Sequence, residues 1–178
     1  MNSRLVGLLL CGSLFAAVQA RAKTVLPDAC GDDSVKFDVL TKTNQPAPAP
    51  PASGKAQIIF IENDNKDIGC VALCEVTTRV GMDGAWVGAN NGNSYFALTV
   101  DSGVHHLCAS WQSALSRLKK NVDVVSFTAE PGKVYYFAAQ IVGTGSEEDP
   151  ATIALSQLNE DEGQYRVEAW KLATWKTK

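Results

Sequence analysis

Apolar and polar residues alternate along this chain in short bursts separated by turn-forming residues. Ala56-Gln57-Ile58-Ile59-Phe60-Ile61 suits a pleated backbone and ends in the polar Asn63-Asp64-Asn65-Lys66, so it reads as a strand followed by a turn. Residues 75–80 carry Val76, Thr77, Thr78 and Val80 and run into Met82-Asp83-Gly84-Ala85-Trp86-Val87. Asp-Gly between two such segments signals a hairpin, because glycine accepts the positive φ of a tight turn. Asn90-Asn91-Gly92-Asn93 is a second turn, residues 95–100 a strand, Asp101-Ser102-Gly103 a third turn, and residues 104–111 a return strand. Residues 124–128 and 134–139 are further strands about the turn Glu130-Pro131-Gly132-Lys133. Alternation puts Tyr135 and Phe137 on one face of the last strand and Val134 and Tyr136 on the other.

Strands at this spacing, with no long helix between them, predict a mainly β fold: an antiparallel β-sandwich. Two stretches depart from the pattern. Residues 113–120 place Leu115 and Leu118 at a spacing that suits a helical turn or a loop. After strand-like residues 152–158, the tail places Tyr165, Ala169, Leu172 and Ala173 at i, i+4, i+7 and i+8. That stripe predicts an amphipathic C-terminal helix over residues 161–175, capped by Asn159 or Asp161 and covering part of the sandwich. Gly163 weakens its start.

The N-terminus has a different character. Arg4 precedes an apolar run over residues 5–18, and both Val18-Gln19-Ala20 and Ala20-Arg21-Ala22 offer the small-residue pattern of a signal-peptidase site. Residues 1–22 therefore read as a signal peptide, with an uncleaved N-terminal anchor as the alternative, and the mature form is expected to be periplasmic or secreted, with no transmembrane span. Cys11, in the middle of the apolar run, is poorly placed for a lipoprotein site. Residues 23–54 form an N-terminal segment and a Pro/Ala-rich linker, Asn44 to Gly54, in which proline removes backbone donors and favours an extended chain. Val35-Lys36-Phe37-Asp38-Val39 alternates and could add an edge strand tied down through Cys30. Residues 55–178 are enough for one core. Export would remove Arg4 and Arg21 from the 16 basic residues and none of the 19 acidic ones, leaving a charge of about −5. That balance argues against nucleic acid as a partner.

Four cysteines remain after residue 22: Cys30, Cys70, Cys74 and Cys108. An even number in an exported chain favours disulfides, and four cysteines allow three pairings. Cys74–Cys108 with Cys30–Cys70 is preferred, since it avoids a cramped bridge between Cys70 and Cys74, and exchanging Cys70 with Cys74 satisfies most of the same argument. The Cys70/Cys74 spacing also suits half a zinc site, but no second close pair accompanies it.

The chemistry-bearing residues form no coherent catalytic pattern. His105 and His106 are adjacent, so on a strand they face opposite ways and do not easily clamp one metal. His106 and Cys108 share a face, yet no third group is apparent to orient a base. Glu147-Glu148-Asp149 and Glu160-Asp161-Glu162 read as solvated turns, and no hydrolase, zinc-protease or phosphate-loop motif occurs. No cofactor is implied. Trp86, Tyr95, Phe96, Trp111, Trp170 and Trp175 are candidates for a sugar- or peptide-binding surface, though such aromatics more often fill or cover a core.

From Gly54 onward the chain resembles the uncharacterised bacterial DUF2846 family. The residues that carry the likeness are Gly54-Lys55-Ala56, then Val80 to Gly88 with the Asp-Gly turn, Gly92-Asn93-Ser94-Tyr95-Phe96, and Val100 to Leu107. Ala129-Glu130-Pro131-Gly132-Lys133-Val134-Tyr135-Tyr136-Phe137 completes it. Ser102 stands where that pattern has proline, while Gly103 keeps the turn. The resemblance implies an exported sandwich of immunoglobulin or PEGA type, and no catalytic residues or ligand. The expected function is a non-enzymatic structural or binding module of the cell envelope that contacts another envelope protein or a surface polymer. The alternative is a hydrolytic or metal-dependent enzyme with a pocket near His105 and His106.

Overall fold

The computed structural model describes residues 27–63, 76–112, 122–143 and 151–178. The signal segment, the turn after Asn63, Cys70, Cys74, residues 113–120 and Glu147-Glu148-Asp149 lie outside them. The described strands are β1 (Phe37–Lys42), β2 (Lys55–Asn63), β3 (Thr77–Met82), β4 (Ala85–Asn91) and β5 (Ser94–Asp101), followed by β6 (Gly103–Gln112), β7 (Val122–Ala129), β8 (Val134–Gly143), β9 (Ala151–Leu158) and β10 (Lys171–Thr177). One helix, α1 (Glu160–Ala169), separates the last two.

These strands form a six-stranded sheet in the order β1-β10-β5-β2-β8-β9 and a four-stranded sheet in the order β4-β3-β6-β7. The smaller sheet is antiparallel throughout and contains the expected hairpin, with Asp83 at φ 51° and Gly84 at φ 91° between β3 and β4. The larger sheet corrects the antiparallel expectation, because β2 pairs β8 and β10 pairs β5 in parallel. The turns at Gly92, at Ser102 and at Gly132 carry the chain from one sheet to the other rather than between partners. The parallel partners, β2 with β8 and β5 with β10, are thus remote in sequence and free to run the same way.

The sheets pack face to face. Ile58 and Phe60 of β2, Phe96 of β5 and Phe137 of β8 meet Val80 of β3, Leu107 and Trp111 of β6 and Phe127 of β7 in one buried cluster. Phe137 is fully buried, while Tyr136 points the other way into a second cluster with Ile59, Ile61, Tyr95 and Val167. Tyr135 sides with Phe137 and Val134 with Tyr136, as alternation requires.

Helix α1 covers the outer face of the larger sheet through Gly163 and Val167, and Asn159 caps it by accepting from the Glu162 N–H at 2.9 Å. The helix is shorter than the expected 161–175. Trp170 already has extended backbone, and Leu172, Ala173 and Trp175 belong to β10. The i, i+7, i+8 stripe was a coincidence of two elements. Tyr165 is 70% exposed, whereas Ala173 is buried and Trp175 packs on Phe96 with ring centroids 4.6 Å apart. Gly163, unfavourable by propensity, has a packing reason. A Cβ there would lie 2.1 Å from Cγ of Tyr136, so only glycine lets the helix approach the sheet this closely.

Candidate functional site

Residues 27–36 precede β1, contain no strand, and cross the outer face of the smaller sheet. That face follows from alternation: Leu107, Ala109 and Trp111 point into the core, so Cys108, Ser110 and Gln112 point out, as does Arg79 beside the inward Val80. A disulfide joins Cys30 to Cys108, 78 residues apart, and both cysteines are buried. This corrects the preferred pairing of Cys74 with Cys108 and Cys30 with Cys70. The strap before β1 lies directly over β6 and brings Cys30 to a partner 78 residues away in sequence.

Arg79 holds the strap beyond the disulfide. Its side chain is fully buried, and its guanidinium donates to the carbonyls of Val35 at 2.8 Å and Asp33 at 3.3 Å, to the Asp33 carboxylate at 3.3 Å, and to Ser110 Oγ at 3.3 Å. Its Cζ sits 4.3 Å from the centroid of the Trp86 ring, and the Trp86 indole N–H donates to the Asp32 carbonyl at 2.7 Å. Burial lowers the Arg79 pKa below its ordinary value, against the Asp33 hydrogen bond and charge that raise it. The guanidinium nevertheless stays charged, since its ordinary value is so high. Gln112 completes the clamp by accepting the Phe37 N–H at 2.9 Å and donating to the Phe37 carbonyl. Sequence reasoning missed Arg79. The available signal was a cation inside an otherwise β-prone, uncharged run, Thr77 to Met82.

The two histidines sit at the hairpin end of the same sheet. The His105 side chain is 13% exposed and that of His106 is 64% exposed, as expected for opposite faces. Asp83 in the β3–β4 turn reaches both: Oδ2 is 2.6 Å from His105 Nδ1, and Oδ1 accepts the His106 backbone N–H at 2.8 Å. Nε2 of His105 lies 3.0 Å from the Asp101 carbonyl, and Asp101 is paired with Lys55. Both ring nitrogens of His105 therefore face acceptors, and an imidazolium satisfies them both by donating twice.

Desolvation lowers the His105 pKa, but the bonds and charges of Asp83 and Asp101 outweigh it and leave the value above the ordinary 6.5. For Asp83, desolvation raises the pKa, while His105 and the His106 N–H together bring it below 3.8. The raised histidine adds stability that is complete below 6.5 and fades as pH rises through its folded value. The depressed carboxylate adds stability present above 3.8 that fades as pH falls through its folded value. Their joint contribution is largest between those limits. Urea unfolding across pH should show His105→Gln losing most against the parent near pH ~5.5 and much less near pH ~9. An equal loss at both would contradict the pairing.

The remaining aromatic candidates are dispersed. Tyr95 is buried under α1, where desolvation raises its pKa, and Trp111 lies in the core between the sheets. Trp86 serves the strap, so Trp86, Tyr95, Trp111, His105 and His106 do not line one pocket. Among the described residues no cluster of three or more His, Cys, Asp or Glu side chains could hold a metal ion, and no helix is long and apolar enough to cross a membrane. Comparisons with protein-family models, curated proteins and solved structures found no match.

Proposed function

We propose that this chain is an exported, non-enzymatic structural or binding module of the bacterial cell envelope, with an immunoglobulin- or PEGA-like sandwich of the DUF2846 kind. The observation that carries this reading is the buried Cys30–Cys108 disulfide, which fastens the strap to the sheet and is the kind of bond that an oxidising compartment favours. The enzyme alternative has less support. Both His105 nitrogens are engaged, which leaves that ring neither a lone pair for a metal nor a free base.

Expression of the full chain in a bacterium with a periplasm, followed by fractionation, intact-mass measurement and non-reducing peptide mapping, tests the proposal. The expected result is periplasmic or secreted protein lacking residues 1–20 or 1–22, with Cys30 linked to Cys108. Cytoplasmic protein that retains Met1 and free Cys30 and Cys108 thiols would overturn it.

A further inference from the structure

We infer that the cleft between the start of the proline-rich segment and the junction of α1 with β10 binds a neutral saccharide. The cleft measures about 370 Å³ and lies on the larger sheet's side of the molecule, away from the strap. Its lining includes Asn44, Gln45, Val167, Glu168, Trp170 and Lys171. This size is within the range of small-ligand sites, about 300–1,000 Å³. The inference rests on the reading of the chain as a binding module and names the ligand class and the place.

Both walls are held in place before any ligand arrives. On one side Asn44 has φ 55°, Gln45 Nε2 donates to the Thr43 carbonyl at 3.1 Å, and Pro46 follows at once. Further along, Gln57 Nε2 donates to the Ala49 carbonyl at 2.9 Å and fixes the proline-rich run against β2. On the other side the Trp170 N–H donates to the Arg166 carbonyl at 3.0 Å and the Lys171 N–H to the Asn93 carbonyl at 3.3 Å. The Arg166 guanidinium braces the Trp170 ring at 5.3 Å from its centroid. Preformed walls spare a weak ligand the entropy of ordering them.

The lining chemistry selects the class. Trp170, partly exposed where it lines the cleft, supplies apolar surface suited to the C–H face of a sugar ring. Amides both donate and accept, as hydroxyl groups do, so Asn44 and Gln45 match a polyhydroxylated edge. Glu168 and Lys171 bring opposite charges, which disfavours a ligand of strong net charge of either sign. Among the described residues the side chains of Asn44, Glu168 and Lys171 and the Trp170 indole N–H have no hydrogen-bond or ion-pair partner, so they are available to a ligand.

The test is a nitrogen-15 NMR titration of the folded, purified full-length mature chain with maltose, cellobiose and N,N′-diacetylchitobiose, each to about 20 mM, beside a neutral tetrapeptide. At least one disaccharide should shift the Trp170 indole and the Asn44 or Gln45 side-chain amide saturably, with Kd on the order of 1 mM. Gln45→Ala and Asn44→Gly sit on the exposed wall and should each weaken binding about fivefold or more with an unchanged melting temperature, a change of about 1 kcal/mol in binding. Trp170 also packs on the outer-face core, so its truncation is not the deciding variant. The inference is overturned by no saturable shift with any of the three sugars, by shifts that avoid these residues or ignore both variants, or by a response to the tetrapeptide alone. The assay uses purified protein, so failure of export leaves it intact, and a negative titration leaves the compartment test intact.

Discussion

Phe137→Ala is expected to destabilise the fold by about 3–5 kcal/mol, the usual cost of truncating a fully buried aromatic side chain. Phe137 is 0% exposed and stands where the two sheets meet. Its ring centroid is 5.0 Å from that of Phe127 in the smaller sheet and 6.2 Å from that of Phe60 on the adjacent strand of its own sheet. Removing the ring loses its transfer free energy and leaves a cavity that neither sheet can fill, because each is held by its own ladder. Phe137→Leu keeps most of the volume and should lose much less. Reversible urea unfolding measures both, and a loss below about 1 kcal/mol for the alanine variant would contradict this packing.

That side chain was legible in the sequence because it depends on local information alone. The alternation through Val134-Tyr135-Tyr136-Phe137 fixes which residues share a face, and Asp83-Gly84 fixes a turn, without reference to the rest of the chain. Strand order was not legible. The turns at Gly92, at Ser102 and at Gly132 have ordinary hairpin chemistry, yet they join strands of different sheets. The tail misled for a related reason: Leu172 and Ala173 continue a helical stripe on paper, but Trp170 turns the backbone extended and Trp175 finds Phe96. Helical period and strand period coincide over so few residues that tertiary contact decides between them.

The candidate site divides in the same way. The opposite facing of His105 and His106 follows from strand geometry, whereas the partners of His105, Asp83 and Asp101, come from two separate turns. The strap was half visible, since the sequence marked both Cys30 and an edge strand beside it. Its course over β6 was not, because Arg79 meets Val35 only after β3, β6 and β1 are in place. Trp170 carried no more signal than the other tryptophans, and its exposure to a cleft depends on the proline-rich segment passing opposite.

Cys30→Ser/Cys108→Ser should lower stability by about 2–4 kcal/mol, chiefly by freeing the unfolded chain to explore states that a long covalent loop forbids. The bridged residues are 78 apart, and loop-closure entropy alone sets an upper figure of about 4.5 kcal/mol. The native state should survive, because most of the strap's attachment is not covalent. Arg79 still donates to Asp33 and Val35, Trp86 to Asp32, and Gln112 still brackets Phe37. The folded variant should therefore show a second, local change. Amide exchange over residues 27–36 should quicken, while β2, β5 and β8, buried at the centre of the larger sheet, lose protection only as far as global stability falls. Chemical reduction of the parent should reproduce both effects. A loss below about 1 kcal/mol, or equal loss of protection in the strap and in β2, would show that the bridge does not act by fastening the strap.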